Sequence, residues 1–210
     1  MSAAVVSDAA ERVDLAFPAQ GDTLPRDHRA MLAAALAAHL PWLGVEPGTG
    51  VHRVNLVAGG GAQGLLSGRA RLVLRVPRER SGAVASQLSG IVLDLGGERL
   101  ELGAPQVREL LPHRTLYAHF VAGASADGDE AAFLAEVGAE LDRLGVEART
   151  VCGRRQQIHT ERGIVGGFSL MLDGLGRDDA LRVMRVGIGP HRALGCGLFI
   201  PHKSAAAVGD

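Results

Sequence analysis

Along residues 12–20, Val13, Leu15 and Phe17 alternate with Asp14 and Ala16, the two-residue period of a half-buried strand. Pro18, Gly21 and Pro25 break that pattern. From 26 to 40 the period lengthens: Leu32, Leu36 and Leu40 fall on one stripe of an alanine-rich segment that Pro41 stops, which predicts a helix. A second strand is expected in "VHRVNLV", 51–57. The clearest strand is "RARLVLRV", 69–76, with Ala70, Leu72, Leu74 and Val76 on one face and Arg69, Arg71, Val73 and Arg75 on the other. A weaker helix over 78–90 and a hairpin around Gly96-Gly97 complete a β-α-β-β-α-β series.

The stretch "PQVRELLPHR" leads into a second cycle. "TLYAHFVA" reads as a strand, "DEAAFLAEVGAELDRLG" as an amphipathic helix, and "VEARTVC" and "GIVGGFSLMLDG" as strands. A short helix in "RDDALRVMRVG" and a last strand in "CGLFIPH" follow. The order is again β-α-β-β-α-β, without an obvious sequence repeat between the halves. The expected fold class is α+β, two tandem ferredoxin-like (RRM-like) domains at 12–105 and 106–203, with tails at 1–11 and 204–210.

Composition narrows the function classes. The 210 residues accommodate one large domain or two of about 100 residues each. No apolar run approaches the roughly 18 residues that span a bilayer, and the acid-bearing opening "MSAAVVSDAAERVD" does not read as an export signal. Cys152 and Cys196 stand far apart without metal-ligand spacing, which fits a reducing cytoplasm. Net charge is −1, so the chain lacks the strong basic excess typical of nucleic-acid binders. The distribution is uneven, however: residues 149–203 hold nine basic residues against four acids, and Lys203 is the single lysine of the chain. Arginine's planar fork suits phosphate and base edges, but GC-rich coding also produces this bias and takes the larger share.

Most catalytic motifs fail. "GGGAQG", 59–64, satisfies G-x-G-x-x-G, but a strand pattern follows where a dinucleotide site needs a helix, and a hairpin loop is the better reading. Ser169 lies within a strand pattern rather than a nucleophile elbow, and no two histidines stand four apart. Metal-free chemistry is therefore expected, with histidines as the acid-base candidates. His28 and His39 lie 11 residues apart on the first helix, roughly 16 Å, too far to act on one atom. His28 begins that helix, where the dipole disfavours the imidazolium and leaves a neutral ring fit for a general base. His113, His159, His191 and His202 read as solvated loop or strand-end residues, and Cys196 as a small buried filler.

The remaining constellation is "GIGPHRALGCG". Gly187, Gly189, Gly195 and Gly197 form two matched pairs around Pro190, His191 and Arg192, a loop shaped for a ligand. A tandem ferredoxin-like chain ending in G-h-G, five residues, G-h-G resembles the RAMP superfamily of CRISPR-associated proteins. "VDLAFPAQGDTLPRDHRAMLAAAL" and "GIVGGFSLMLDGL" are similar to the short type I subfamily of Cas6 endoribonucleases, which process precursor crRNA; the resemblance runs from about Val13 to Pro201.

The resemblance implies metal-independent cleavage of CRISPR repeat RNA by 2′-hydroxyl attack, leaving a 2′,3′-cyclic phosphate and a 5′-hydroxyl, with no cofactor. It assigns the catalytic histidine of the first helix to His28. Unlike several relatives, the chain offers no obvious lysine or tyrosine beside it, so Lys203, His191, Arg192 and Ser169 remain open as second groups. The expected RNA contacts are Gly187, Gly189, His191, Arg192, Gly195, Gly197, Arg154, Arg155, Arg162 and Lys203, with Arg69, Arg71 and Arg75 as a weaker patch. The implied partners are repeat RNA and crRNA, then subunits of a type I effector complex, with no membrane; the protein itself is a monomer or homodimer. A non-catalytic RAMP subunit holding crRNA is the alternative, and a ferredoxin-like protein without an RNA role is a distant third.

Overall fold

The computed structural model describes residues 11–57, 61–123 and 129–202. Its first part contains strands β1 (Arg12–Gln20) and β2 (Thr23–Pro25), helix α1 (Arg29–Ala37), and strands β3 (Gly50–Val51), β4 (Gln63–Leu65) and β5 (Arg71–Pro77). Helix α2 (Ser81–Leu88) and strands β6 (Val92–Leu95), β7 (Glu98–Leu102) and β8 (Gln106–Glu109) follow. The second part runs β9 (Thr115–Ala122), α3 (Glu130–Leu144), β10 (Arg149–Thr160), β11 (Gly163–Asp173), α4 (Arg177–Val186) and β12 (Ile200–Pro201). The result is a mixed α/β fold with two principal antiparallel sheets, ordered β3-β5-β1-β7-β6 and β10-β11-β9-β12.

In the first sheet, β1 pairs with β5 from Arg12↔Pro77 to Pro18↔Arg71. The alternating apolar residues of both strands, Val13, Leu15, Phe17, Leu72, Leu74 and Val76, are fully buried. Leu32 and Leu36 of α1 and Val84 and Leu88 of α2 close this core. The hairpin β6–β7 turns at Gly96 and Gly97, whose φ values of 72° and 92° suit the tight turn that joins twisted strands.

One local expectation changes. The predicted strand over 51–57 shrinks to β3, a further bond from the His52 N–H to the Val73 carbonyl, and an isolated bridge between Val57 and Leu65, while His52, Arg53 and Asn55 line a cleft. Past the expected boundary at 105/106, the chain forms β8, which pairs with β1. Both β7 and β8 run along the same edge of β1, β7 at Ala19 and Gln20 and β8 at 13–16. Pro105 lacks a backbone N–H and all four β8 residues are exposed, so the continuation carried no strand-like pattern.

In the second sheet, Phe133, Val137 and Leu141 of α3 and Ala180, Val183 and Met184 of α4 bury against Leu170 and Leu172 of β11. Asp129 caps α3 by accepting from the N–H groups of Ala131 and Ala132, and Gly145 ends it at φ 62°. Strands β10 and β11 pair as far as Thr160↔Gly163, whereas β9 accompanies β11 only to Gly167↔Ala122. The tip of the β10–β11 hairpin thus projects beyond its sheet toward α1.

Arg75, expected with Arg69 and Arg71 in the weaker RNA patch, is fully buried between the two halves. Its Nε and Nη2 donate to both carboxylate oxygens of Asp14 at 2.8 and 2.9 Å. Its Nη1 donates to the carbonyls of Met184 (2.8 Å) and Phe199 (3.1 Å). No described helix is long and apolar enough to cross a membrane.

Candidate active site

His28 caps α1 through its main chain (φ −76°, ψ −8°), while its side chain makes no cap hydrogen bond. Instead Nδ1 donates to the Pro25 carbonyl at 2.9 Å. A carbonyl only accepts, so this contact keeps the proton on Nδ1 and leaves a lone pair on Nε2. That Nε2 is buried without a hydrogen-bond partner. Burial lowers the His28 pKa; the Pro25 carbonyl opposes this, and the nearby charges of Arg29 and Arg53 reinforce it. The neutral ring anticipated at a helix start is thus a product chiefly of desolvation.

Arg29 follows, its guanidinium carbon 5.5 Å from the centroid of Phe120 and its Nη1 buried without a partner. Burial also lowers its pKa. His28, Arg29 and Arg53 line a cleft of about 450 Å³ whose opposite wall is Gln156, Gln157, Ile158 and His159 of β10. His159 reaches across to α1: its Nδ1 lies 3.0 Å and its backbone N 3.2 Å from Oδ2 of Asp27. The sequence treated His159 as a solvated residue and did not single out Asp27, Arg29 or Arg53; only the placement of the hairpin against α1 reveals them. His39, past the far end of α1, takes no part in this cleft.

Arg154 and Arg155 are exposed on β10 and Arg162 in the turn that follows, all on the hairpin that forms the cleft wall. The ladder shifts register between Cys152 and Arg155, where the Arg154 N–H donates to the Ser169 hydroxyl at 3.0 Å. Ser169 is buried there and is not among the residues lining the cleft. Lys203 lies outside the described residues, as do Gly59 and Gly60 of the G-x-G-x-x-G run. Gln63–Leu65 at the end of that run is strand β4, not a helix.

The glycine loop, read as shaped for a ligand, is folded closely on itself. Gly187, Gly189, Gly195 and Gly197 all take positive φ, 66–78°, and a Cβ on Gly197 would run into the Ile188 carbonyl and the Arg192 guanidinium. Arg192 is folded into the loop: Nη1 donates to the carbonyls of Ile188 (2.9 Å) and Cys196 (3.2 Å), and Nη2 to that of Val186 (3.1 Å). The N–H groups of Gly187, Gly195 and Gly197 are likewise engaged by Val183, Arg192 and Phe120. Burial brings the Arg192 pKa down to about 10 and pushes the Cys196 thiol up to about 12, which keeps it protonated. His191 is exposed at φ 64° and faces a separate cleft beside α3. The loop therefore clasps Arg192 and docks on the first half through Gly44, Gly50 and Val51.

A second cleft, about 440 Å³, opens between the sheets and shares Arg53 with the first. Arg69, Arg71 and Arg108 line it with His52 and His119, against the single acid Asp14. Burial, then Arg53 and Arg29, brings His119 down to about 4. Tyr117 stacks edge-on to His119, with centroids 5.0 Å apart. Among the described residues, no group of three or more His, Cys, Asp or Glu could hold a metal ion.

The arrangement of the two sheets is shared with solved structures. The structure of a "CRISPR associated protein Cas6" superposes with a TM-score of 0.65 at 12% identity, covering 92% of this chain and 99% of that one. "An RAMP protein binding different RNA substrates" superposes at 0.63 with 11% identity, covering 92% and 100%. The class is therefore that of Cas6 and RAMP-like folds. In sequence, the family model described as "Cas6 Crispr" matches residues 13–204. The "CRISPR-associated endonuclease Cas6" of Myxococcus xanthus (strain DK1622) is 40% identical over 196 residues, 93% of this chain and 84% of that protein. The chain belongs to the Cas6 family.

Proposed function

We propose that this protein is an endoribonuclease that cuts CRISPR repeat RNA within precursor crRNA, without a metal ion, through the 2′-hydroxyl before the scissile phosphate. The reading draws on the endonuclease name of the 40% identical relative. One observation carries the chemistry: His28 lines a cleft with Arg29 and Arg53, its ring neutral and its buried Nε2 without a hydrogen-bond partner. A neutral imidazole accepts the 2′-hydroxyl proton, and attack in line closes the cyclic phosphate and expels the 5′-oxygen. The two guanidiniums offset the charge gathering on the phosphoryl oxygens, the role a metal ion plays elsewhere.

Substrate reach follows from the arginines. Those of the hairpin flank the cleft on one side, and the cleft holding Arg69, Arg71 and Arg108 continues from it past Arg53. Single-stranded RNA takes such a route by phosphate contact, with Tyr117 and His119 offering a small stacking surface. The product then passes to an effector complex. The halves themselves read as tandem ferredoxin-like units: the order β12-β9-β11-β10 supports this in the second, and β7-β1-β5-β3 in the first.

The test is cleavage in EDTA of labelled repeat RNA beside a copy lacking the 2′-hydroxyl at the scissile nucleotide. The expected result is cleavage of the first RNA only, with His28→Ala slowing it about 10²–10⁴-fold while RNA affinity is kept. Binding without cleavage of either RNA would indicate a crRNA-holding subunit instead.

A further inference from the structure

Cleavage through a 2′-hydroxyl has two proton transfers, one from the nucleophile and one to the leaving 5′-oxygen. His28 accounts for the first. Resting on the endoribonuclease reading above, we propose that His159 is the general acid for the second, with Asp27 as its positioning residue.

Asp27 and His159 are 132 positions apart, yet one carboxylate oxygen receives both the Nδ1–H and the backbone N–H of His159, at 3.0 and 3.2 Å. A carboxylate only accepts, so Nδ1 carries its proton and Nε2 is the ring's free nitrogen. The double contact fixes the ring on β10 directly against the start of α1. Asp27 precedes His28 in the chain, and both imidazoles line the one cleft.

Their surroundings differ in the way an acid-base pair requires. The Nδ1–H of His28 meets a neutral carbonyl within a buried site, where the charges of Arg29 and Arg53 outweigh that of Asp27. That of His159 meets an anion at a water-accessible edge; its side chain is 70% exposed. The 2′-oxygen bonds to phosphorus as its proton passes to His28 Nε2. With the His159 ring doubly protonated, the bond from phosphorus to O5′ then breaks as the second proton, on Nε2, passes to O5′. The rings end with exchanged protonation, which solvent resets.

Of the other residues considered for this task, Lys203 lies outside the described residues and three stand elsewhere. Ser169 is buried beneath the Arg154 N–H, Arg192 is held by three carbonyls of its own loop, and His191 faces the cleft beside α3.

A leaving group that departs without a proton tests the assignment. Repeat RNA with sulfur replacing the bridging 5′-oxygen at the scissile phosphate is compared with ordinary RNA. On ordinary RNA, His159→Gln is expected to lose about 10²-fold or more in the cleavage step, with Asp27→Asn losing less. On the sulfur-bridged RNA, His159→Gln should return to near the wild-type rate while His28→Ala stays slow. Equal losses on both RNAs, or no loss on ordinary RNA, overturn the role of His159 alone. Wild-type protein that cuts neither RNA overturns the endoribonuclease reading, and this role with it.

Discussion

Arg192 shows how far a residue's chemistry depends on what surrounds it. Placed between two glycine pairs, it read as a phosphate ligand; folded, its guanidinium satisfies three carbonyls at the centre of the loop. The glycines are required because their positive φ and close approach to Ile188, Ala122 and Val51 leave no room for a side chain. Arg192→Ala should therefore act on stability, by about 1–3 kcal/mol, since the carbonyls it satisfies lose their partner. Urea denaturation checks the loss, and the slope of RNA affinity against salt should stay unchanged. A flatter slope would restore Arg192 to the RNA interface.

At the scale of elements, the β10–β11 hairpin governs the site. Its outer half was illegible as a strand because Arg154, Arg155 and Gln157 are all exposed, so no apolar alternation marks the continuation past Cys152. Backbone pairing with β11 carries it on to Thr160, bringing His159 to Asp27. Arg154 and Arg162, exposed on this hairpin, are expected to contact phosphates. Replacing either with alanine should weaken RNA binding across all sequences and lower the salt slope by about one unit. Filter binding from low to moderate salt measures this, and an unchanged slope in both variants would remove the hairpin from the RNA path.

For the whole molecule, the decisive contact is Asp14–Arg75, which ties the first sheet to the carbonyls of Met184 and Phe199 in the second half. Burial alone would raise the Asp14 pKa; the charge of Arg75, then that of His52, reverses this and holds it well below the usual carboxylate range. A depressed folded-state pKa means the unfolded chain binds the proton more readily. The stabilisation is thus complete above the unfolded value of about 4 and is lost as pH falls from there toward the folded value. Asp14→Asn leaves a buried guanidinium without its counter-ion and should cost about 3–5 kcal/mol at neutral pH. Denaturation at pH 7 and pH 3 should show that cost shrinking at the lower pH, as the wild type surrenders what the variant already lacks.

What the sequence determined by itself is local and periodic. The alternation of β1 and β5, the leucine stripe of α1, the glycines at positive φ and the location of His28 at a helix start all follow from the neighbours of each residue along the chain. What tertiary structure alone decided is pairing across distance: His159 with Asp27, Arg75 between two sheets, Arg192 turned into its own loop, and Arg53 shared between two clefts. Periodicity records whether a position meets water or the core. It carries no record of which distant polar group a charged side chain will find, and that choice fixes whether the side chain holds the fold together or faces the substrate.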